Sequence, residues 1–196
     1  MMKRTASVNR QTAETSIALQ LNLDGKGEAR LETGLPFMEH MLELWARHGF
    51  FDLEINATGD LQVEPHHLVE DMGLCLGQAL QESLGDKKGI NRYGSCILPM
   101  DDALVLVSLD FSGRPYLNYD LAINPGKVGQ VDIELIEEFW RAVSNEARMN
   151  LHLKLLDGVN RHHIIEAVFK GTGRAMGEAV SWRNGLDDVL STKGTL

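Results

Sequence analysis

The feature that most constrains this chain is a short motif, His-His-x-x-Glu, that occurs twice. It occupies residues 66–70 and recurs 96 positions later at residues 162–166. On an α-helix, the first histidine and the glutamate are four residues apart and share one face, whereas the second histidine points about 100° away. The repeat therefore predicts a duplicated chain with two equivalent helices, each carrying metal-ligating side chains on two faces.

The segments around the two motifs follow the same order in both halves. Alternating apolar residues predict half-buried strands at 14–23 and 103–111, and helical periodicity follows from Pro36 to Gly49 and, after Asp132 as a plausible N-cap, to about Met149. Each half reads strand, strand, helix, strand, helix. This order predicts an α+β protein built by internal duplication, each half a mostly four-stranded sheet with two helices on one face, and the helices packed between the sheets.

Turns that contain glycine and the connections between elements indicate the boundaries of the two half-domains. The first half-domain is expected at residues 1–90 and the second at 91–180, with a tail at 181–196 that contains Ser-Thr-Lys-Gly. Within each half, the segments 28–33 and 116–123 are expected to return as hairpin strands on the strand before them.

Composition restricts the function classes. The net charge of -9 argues against a nucleic-acid or membrane-surface binder. The two cysteines form no CxxC motif, so neither a disulfide nor a thiolate zinc site is expected. With no signal-peptide pattern and no apolar run of transmembrane length, we expect a cytoplasmic protein without membrane or nucleic-acid partners.

The repeat also nominates further metal ligands. Aligning the first helices of the two halves places His40 opposite Glu138. Imidazole together with carboxylate suits Mn²⁺, Fe²⁺, Zn²⁺ or Ni²⁺, and the lack of thiolate argues against a purely structural zinc site. The candidate metal ligands are His40, His66, His67, Glu70, Glu138, His162, His163 and Glu166. Because a ligand pointing away from its own subunit needs a neighbouring chain, we expect metal to link subunits.

A second group of residues has the chemistry of an anion site. Arginine, lysine and hydroxyl side chains hold phosphate through charge-assisted hydrogen bonds, although each of these residues taken alone is typical of a solvated surface. The candidates are Arg92, Arg114, Lys170, Ser191, Thr192 and Lys193.

In combination, these motifs resemble the imidazoleglycerol-phosphate dehydratase family, enzymes of histidine biosynthesis. The matching stretches, which cover nearly the whole chain, are residues 33–42, 46–49, 66–71, 90–94, 112–116, 162–170 and 191–194. The resemblance implies a duplicated α+β fold, two Mn²⁺ ions per active site, and a 24-subunit assembly whose sites are shared between subunits. Carried over by motif, Arg92, Arg114, Lys170, Ser191 and Lys193 would contact the substrate phosphate, and His40 would be a ligand close to the substrate.

The reaction implied is loss of water from imidazoleglycerol phosphate to give imidazole acetol phosphate. The proton leaves a carbon that has no neighbouring carbonyl, so the imidazole ring is the available electron sink. Glu14 matches the acidic residue of the family beside the reacting carbons and is the expected base, with His48 as a proton shuttle to the leaving oxygen. The metal-binding carboxylates Glu70 and Glu166 complete the catalytic set.

The chain also departs from the family pattern. Many members carry histidine where this chain has Glu138, the residues around the first motif are Glu64-Pro65 and Leu68, and Gly171-Thr172-Gly173 replaces an alanine-rich segment. An inactive metal-binding relative and a binuclear metallohydrolase therefore stay open as alternatives, as does a metal-storage or metal-sensing protein. Phosphate-dependent ligand binding separates the enzymes from a storage protein, and the identity of the product separates a dehydratase from a hydrolase.

Overall fold

The structure is a computed structural model that describes residues 4–196. Its first half contains, in chain order, β1 (Thr5–Gln11), β2 (Thr15–Asn22), β3 (Ala29–Glu32), α1 (Pro36–Gly49), β4 (Asp52–Gly59) and α2 (His66–Leu84). The four strands form one sheet in the order β1-β2-β4-β3. Strand β2 pairs antiparallel with β1 and with β4, whereas β3 runs parallel to β4.

The second half repeats this arrangement with one addition. It contains β5 (Tyr93–Met100), β6 (Ala103–Asp110), β7 (Tyr116–Asp120), β8 (Lys127–Val128), β9 (Val131–Asp132), α3 (Glu134–Glu146), β10 (Asn150–Asp157) and α4 (Arg161–Val180). The second sheet has the order β5-β6-β10-β7, so β5, β6, β10 and β7 occupy the places of β1, β2, β4 and β3. The short β8–β9 ribbon has no counterpart in the first half.

The helices lie between the two sheets. Helix α2 packs on β1 and β2, α4 packs on β5 and β6, and across the middle α1 packs on α4 and α2 on α3. In this layer Trp140 packs on Phe139 and Phe169, and Trp45 on Phe51, all fully buried. The predicted α+β architecture, with helices packed between two four-stranded sheets, is confirmed.

Helix α4 approaches α1 closely because it carries glycine at the contact. A Cβ on Gly173 would lie 2.5 Å from the carbonyl oxygen of Trp45, and one on Gly171 would lie 2.8 Å from Cγ2 of Val107. Both distances are shorter than any ordinary contact, so alanine at either position would force the elements apart. The glycines therefore allow α4 to pack this closely on α1 and β6 in this chain.

Several local predictions were wrong. The segments at β3 and β7 are not hairpin returns, because β3 pairs parallel with β4 and β7 pairs parallel with β10. In each case a helix connects the two strands, and such a crossover brings the chain back in the same direction. Strand β5 was not predicted, since its inward side begins with Gly94 and its outward side includes exposed Ile97, which breaks the apolar alternation.

The start and end of α3 also differ from the prediction. The N-cap is Ile133, and no side chain caps the helix. Asp132 instead closes the β8–β9 ribbon and pairs with Lys127 at 3.1 Å. The helix ends at Glu146 rather than near Met149, because Met149 and Asn150 turn into β10. The division of the chain at residues 90 and 180 stays a prediction.

Within residues 4–196, none of the helices combines the length and the apolar character that crossing a bilayer requires.

Candidate metal centre and anion site

Three predicted ligands meet where the start of α4 packs on α1. One side-chain atom from each of His40, His162 and Glu166 lies within 4.8 Å of the other two. His162 Nε2 is 3.0 Å from Glu166 Oε2, across one turn of α4. Asn160 caps the helix by accepting hydrogen bonds from the backbone N–H groups of residues 162 and 163. Two imidazoles and a carboxylate at this spacing fit a divalent transition metal.

Lys170 lies next to this cluster and not in the anion site. Its Nζ is 2.6 Å from Glu166 Oε1, one turn further along α4. Burial raises the pKa of Glu166, but hydrogen bonds from Lys170 and His162 outweigh that effect and hold the pKa below its usual value. Glu166 is therefore a carboxylate at neutral pH and is available as a ligand.

A second cluster forms at the start of α2. His67 Nδ1 is 3.1 Å from Asp60 Oδ2, at the end of β4, and 3.7 Å from Glu14 Oε2, on the loop between β1 and β2. The hydrogen bond to Asp60 raises the pKa of His67, and the negative charge of Glu14 acts in the same direction. Glu14, the predicted base, therefore lies beside His67, a predicted ligand.

The second histidine of the other motif has a comparable environment. His163 Nδ1 is 2.6 Å from Asp102 Oδ1, in the turn between β5 and β6. Asp102 also accepts hydrogen bonds from the backbone N–H groups of Val159 and Asn160. These two bonds, followed by the one from His163, lower the pKa of Asp102 well below its usual range.

In both motifs the two histidines diverge. The ring centroids of His66 and His67 are 5.9 Å apart with an interplanar angle of 83°, and the values for His162 and His163 are 6.1 Å and 84°. Each first histidine faces its own glutamate, whereas each second histidine faces an aspartate on another element. The divergence agrees with the prediction that each helix carries its ligands on two faces.

Glu138 lies on α3 with a half-exposed side chain. His66 Nε2 is 3.5 Å from Glu70 Oε2, but Glu138 is 41% exposed and its nearest ionic partner is Arg141, at 3.9 Å. Among residues 4–196, the compact ligand groups contain neither Glu138 nor this pair. Its assignment as a ligand therefore rests on the repeat alone.

The anion candidates, apart from Lys170, line one cleft. The cleft has a volume of about 580 Å³, and its walls include Arg92, Arg114, Ser191, Thr192 and Lys193. Arg92 is held in place by Asp110, through bonds of 2.6 and 2.9 Å, and by the carbonyl oxygen of Leu190, at 2.7 Å. The tail thus forms part of the cleft wall, and its Leu190 carbonyl oxygen holds one of the two arginines.

The cleft and the His162 cluster lie at opposite ends of α4. The backbone N–H of Arg92 binds the carbonyl oxygen of Ala179, near the end of the helix, whereas Glu166 lies near its start. At about 1.5 Å per residue, the intervening helix is about 20 Å long. Strand β6 gives a similar separation. Asp102, which contacts His163, precedes the strand, and Asp110, which binds Arg92 in the cleft, ends it about 25 Å away. A ligand of sugar-phosphate size therefore cannot contact both places within one subunit.

His48 occupies a third position, near the end of α1. Burial lowers its pKa, and the positive charges of Lys170 and Arg174 lower it further. The imidazole is therefore neutral at neutral pH and able to accept a proton.

The loop that carries Glu14 is fixed by a network that the sequence did not reveal. Thr15 donates its hydroxyl hydrogen to Asp71 on α2, and Asp71 also pairs with Arg10 of β1 at 2.9 Å. Both Thr15 and Asp71 are buried. The network joins the β1–β2 loop to the helix that carries the first histidine motif, so it sets the position of Glu14 relative to His67.

We expect Thr15→Val to lower the free energy of unfolding by about 1–3 kcal/mol, because it leaves a buried Asp71 oxygen without its hydrogen bond while keeping the shape of the side chain. Denaturant unfolding of the metal-free chain measures the change. Thr5→Val, at an exposed position of β1, is the matched control and should change the free energy by less than about 0.5 kcal/mol. Equal values for the two variants would contradict the assignment.

Comparison with known proteins decides the family. A family model described as imidazoleglycerol-phosphate dehydratase matches residues 33–176. The chain belongs to the imidazoleglycerol-phosphate dehydratase family. Relatives that carry this description in Desulforudis audaxviator and Lachnoclostridium phytofermentans are 56% and 53% identical to it, each over the full length of both chains.

Solved structures of imidazoleglycerol-phosphate dehydratases share the fold. The enzyme of Staphylococcus aureus is 40% identical, with a TM-score of 0.83 over 91% of this chain and 99% of that one. The enzyme of Pyrococcus furiosus is also 40% identical, with a TM-score of 0.83 over 96% and 100%. The segment that matches the family model contains both histidine motifs and Arg92, whereas Glu14 and the tail lie outside it. The full-length imidazoleglycerol-phosphate dehydratase relatives cover these two regions as well.

Proposed function

We propose that this chain catalyses the loss of water from imidazoleglycerol phosphate to give imidazole acetol phosphate, a step of histidine biosynthesis, as a metal-dependent hydro-lyase. The observation that carries the proposal is the cluster of His40, His162 and Glu166, which fits a divalent metal in a chain of this family. A cytoplasmic location, without membrane or nucleic-acid partners, accompanies this role.

We assign the metal to two sites built from the histidine motifs, with two Mn²⁺ ions per active site, and Fe²⁺ or Zn²⁺ as alternatives. His40, His162 and Glu166 would hold one ion, while His66, Glu70 and Glu138, their repeat equivalents, would hold the second. His67 and His163 face away from these groups and would reach ions shared with a neighbouring subunit. When bound, the metal supplies Lewis-acid chemistry and orientation at the imidazole ring of the substrate.

The protein's own groups move the protons. Glu14 is 53% exposed on a loop that is fixed to α2, so it can approach a substrate bound beside His67. We assign it the removal of the C2 proton. His48 is neutral, so it can take up a proton and then deliver it to the leaving C3 oxygen, which departs as water.

The phosphate of the substrate is assigned to Arg92, Arg114 and the hydroxyl and ammonium groups of Ser191, Thr192 and Lys193. Lys170, which binds Glu166, would meet the phosphate only where the cleft of a neighbouring subunit lies against this end of α4. The separation of about 20 Å between this cleft and the His162 cluster supports active sites assembled from more than one subunit. A large homo-oligomer, 24 subunits in the family pattern, supplies such neighbours.

The direct test is an assay of the purified chain with Mn²⁺ and imidazoleglycerol phosphate. Formation of the ketone product without release of inorganic phosphate is the expected result. Phosphate release would instead identify a metallohydrolase, and metal binding without turnover would identify an inactive relative. The intact mass, measured before and after complete chelation, tests whether metal links subunits, and an unchanged mass would contradict the shared ions.

We expect Glu138→Ala to lower the bound metal, measured by inductively coupled plasma mass spectrometry after dialysis, by about half, because one of the two sites loses one of its three ligands. The matched control is Glu137→Ala. Glu137 is the preceding residue, and its carboxylate pairs with Arg141. Full metal content in the Glu138 variant would remove Glu138 from the ligand set.

A further inference from the structure

Asp102 makes more bonds than its place in a turn requires. Its Oδ2 accepts hydrogen bonds from the backbone N–H groups of Val159, at 2.9 Å, and Asn160, at 3.0 Å, while Oδ1 faces His163 Nδ1 at 2.6 Å. The two backbone bonds fix the carboxylate in rotation, so Oδ1 has one direction available. A carboxylate oxygen can only accept, and the ring must therefore carry its hydrogen on Nδ1. This leaves the lone pair of His163 Nε2 free to bind a metal.

The other motif uses a different element for the same arrangement. Both oxygens of Asp60 lie within hydrogen-bond distance of His67 Nδ1, at 3.2 and 3.1 Å. In the alignment of the two halves, however, the position equivalent to Asp102 is not Asp60 but Glu14, 88 residues earlier. Glu14 lies farther from the ring, at 3.7 Å, and its side chain is more exposed than that of Asp60, at 53% against 18%.

We infer that Asp102 and Asp60 are positioning residues that fix the tautomer and orientation of His163 and His67, and that Asp60 thereby releases Glu14 for contact with the substrate. The two halves divide these tasks differently. In the second half the carboxylate at the repeat position holds the histidine. In the first half a residue from the end of β4 holds it, and the carboxylate at the repeat position faces outward. The inference rests on the proposed metal-dependent function, since it concerns the outer partners of metal ligands.

The test is Asp102→Asn. Asparagine keeps an oxygen for the two backbone N–H groups, but it presents an NH₂ group to His163. The ring then accepts at Nδ1 and carries its hydrogen on Nε2, where it cannot bind a metal. We expect metal affinity, measured by competition with a chromophoric chelator for Mn²⁺ or Zn²⁺, to fall by about 10- to 100-fold. The melting temperature of the metal-free variant should stay close to that of the wild type.

Asp120→Asn is the matched control. Asp120 is a half-exposed carboxylate on β7 whose partner is Lys154, at 2.9 Å. This variant should keep the wild-type metal affinity within about threefold. If Asp102→Asn lowers only the melting temperature and leaves metal affinity intact, Asp102 merely anchors the turn and the inference is wrong. Weak metal binding by the wild type itself would instead overturn the proposed function, so the two failures are distinguishable.

Because Asp60 and Glu14 both face His67, a substitution of Asp60 gives a second, independent test. Asp60→Asn removes the carboxylate that occupies His67, so Glu14 becomes the nearest acceptor for the ring. We expect kcat of this variant to fall by a larger factor than its bound metal content. The reason is that Glu14 moves toward His67 and away from the substrate. Loss of metal in proportion to activity would show that Asp60 has no effect on Glu14.

Discussion

Replacing Glu14 with glutamine lowers kcat by about 10²–10⁴-fold, because a positioned general base contributes a factor of this size. Glutamine has the same shape but cannot take up a proton. The loop stays in place, since Thr12 accepts the backbone N–H of residue 14 and Thr15 binds Asp71, both independently of the carboxylate. Steady-state kinetics on the Mn²⁺-loaded enzyme measures the loss.

The binding measurements identify the cause of that loss. Metal content and substrate affinity of Glu14→Gln should match the wild type, because Glu14 is the residue assigned to the chemical step. Glu54→Gln, at an exposed position of β4, is the matched control for removing one negative charge and should leave kcat unchanged. A near-normal kcat for the Glu14 variant would remove it from the role of base.

Two inactive variants, mixed, regain activity. Arg92→Met loses the phosphate cleft and Glu166→Gln loses a ligand at the other end of α4, and each alone should be nearly inactive. If every active site takes these two groups from different subunits, random co-assembly of equal amounts restores about a quarter of the sites. The separation of about 20 Å along α4 is the reason to expect this, because one substrate cannot span it within a subunit.

The control for this experiment places both substitutions on one chain. When that double variant is mixed with an equal amount of wild type, about a quarter of the sites are again intact, so the activity of the two mixtures should agree. Each variant must first be shown by mass measurement to assemble and exchange subunits. If the mixture of single variants stays inactive while the control mixture is active, both groups come from the same subunit and the shared site is excluded.

The duplicated architecture could be predicted because the determining residues are close together in sequence. The histidine motifs are local, and the apolar alternation of β2 and β6 is regular, so both halves were identified from short segments. The pairing of strands could not be predicted in the same way. Whether β3 adds to β2 or to β4 depends on where α1 packs, which is decided by contacts between distant segments.

The candidate site shows the same limit. Its predicted ligands came from motifs, whereas Asp60 and Asp102 are 7 and 61 residues from the histidines they face. Nothing in the local sequence distinguishes these aspartates from ordinary turn residues. The repeat aligns Glu14 with Asp102, which relates the two carboxylates. Only the structure shows that Asp102 holds its histidine ring whereas Glu14 does not. The position of Lys170 beside Glu166, by contrast, could be predicted, because the two residues are four apart on one helix.

Helix α4 carries the metal-ligating face at one end and binds the backbone of Arg92 at the other. A single continuous helix therefore fixes both the distance and the rotational phase between the two assigned sites. Inserting or deleting one residue between Glu166 and Ala179 would turn one end by about 100° relative to the other. Insertions and deletions in this helix should therefore reduce activity far more than substitutions on its surface. Subunits that share active sites require the two ends of α4 to keep one fixed rotation relative to each other.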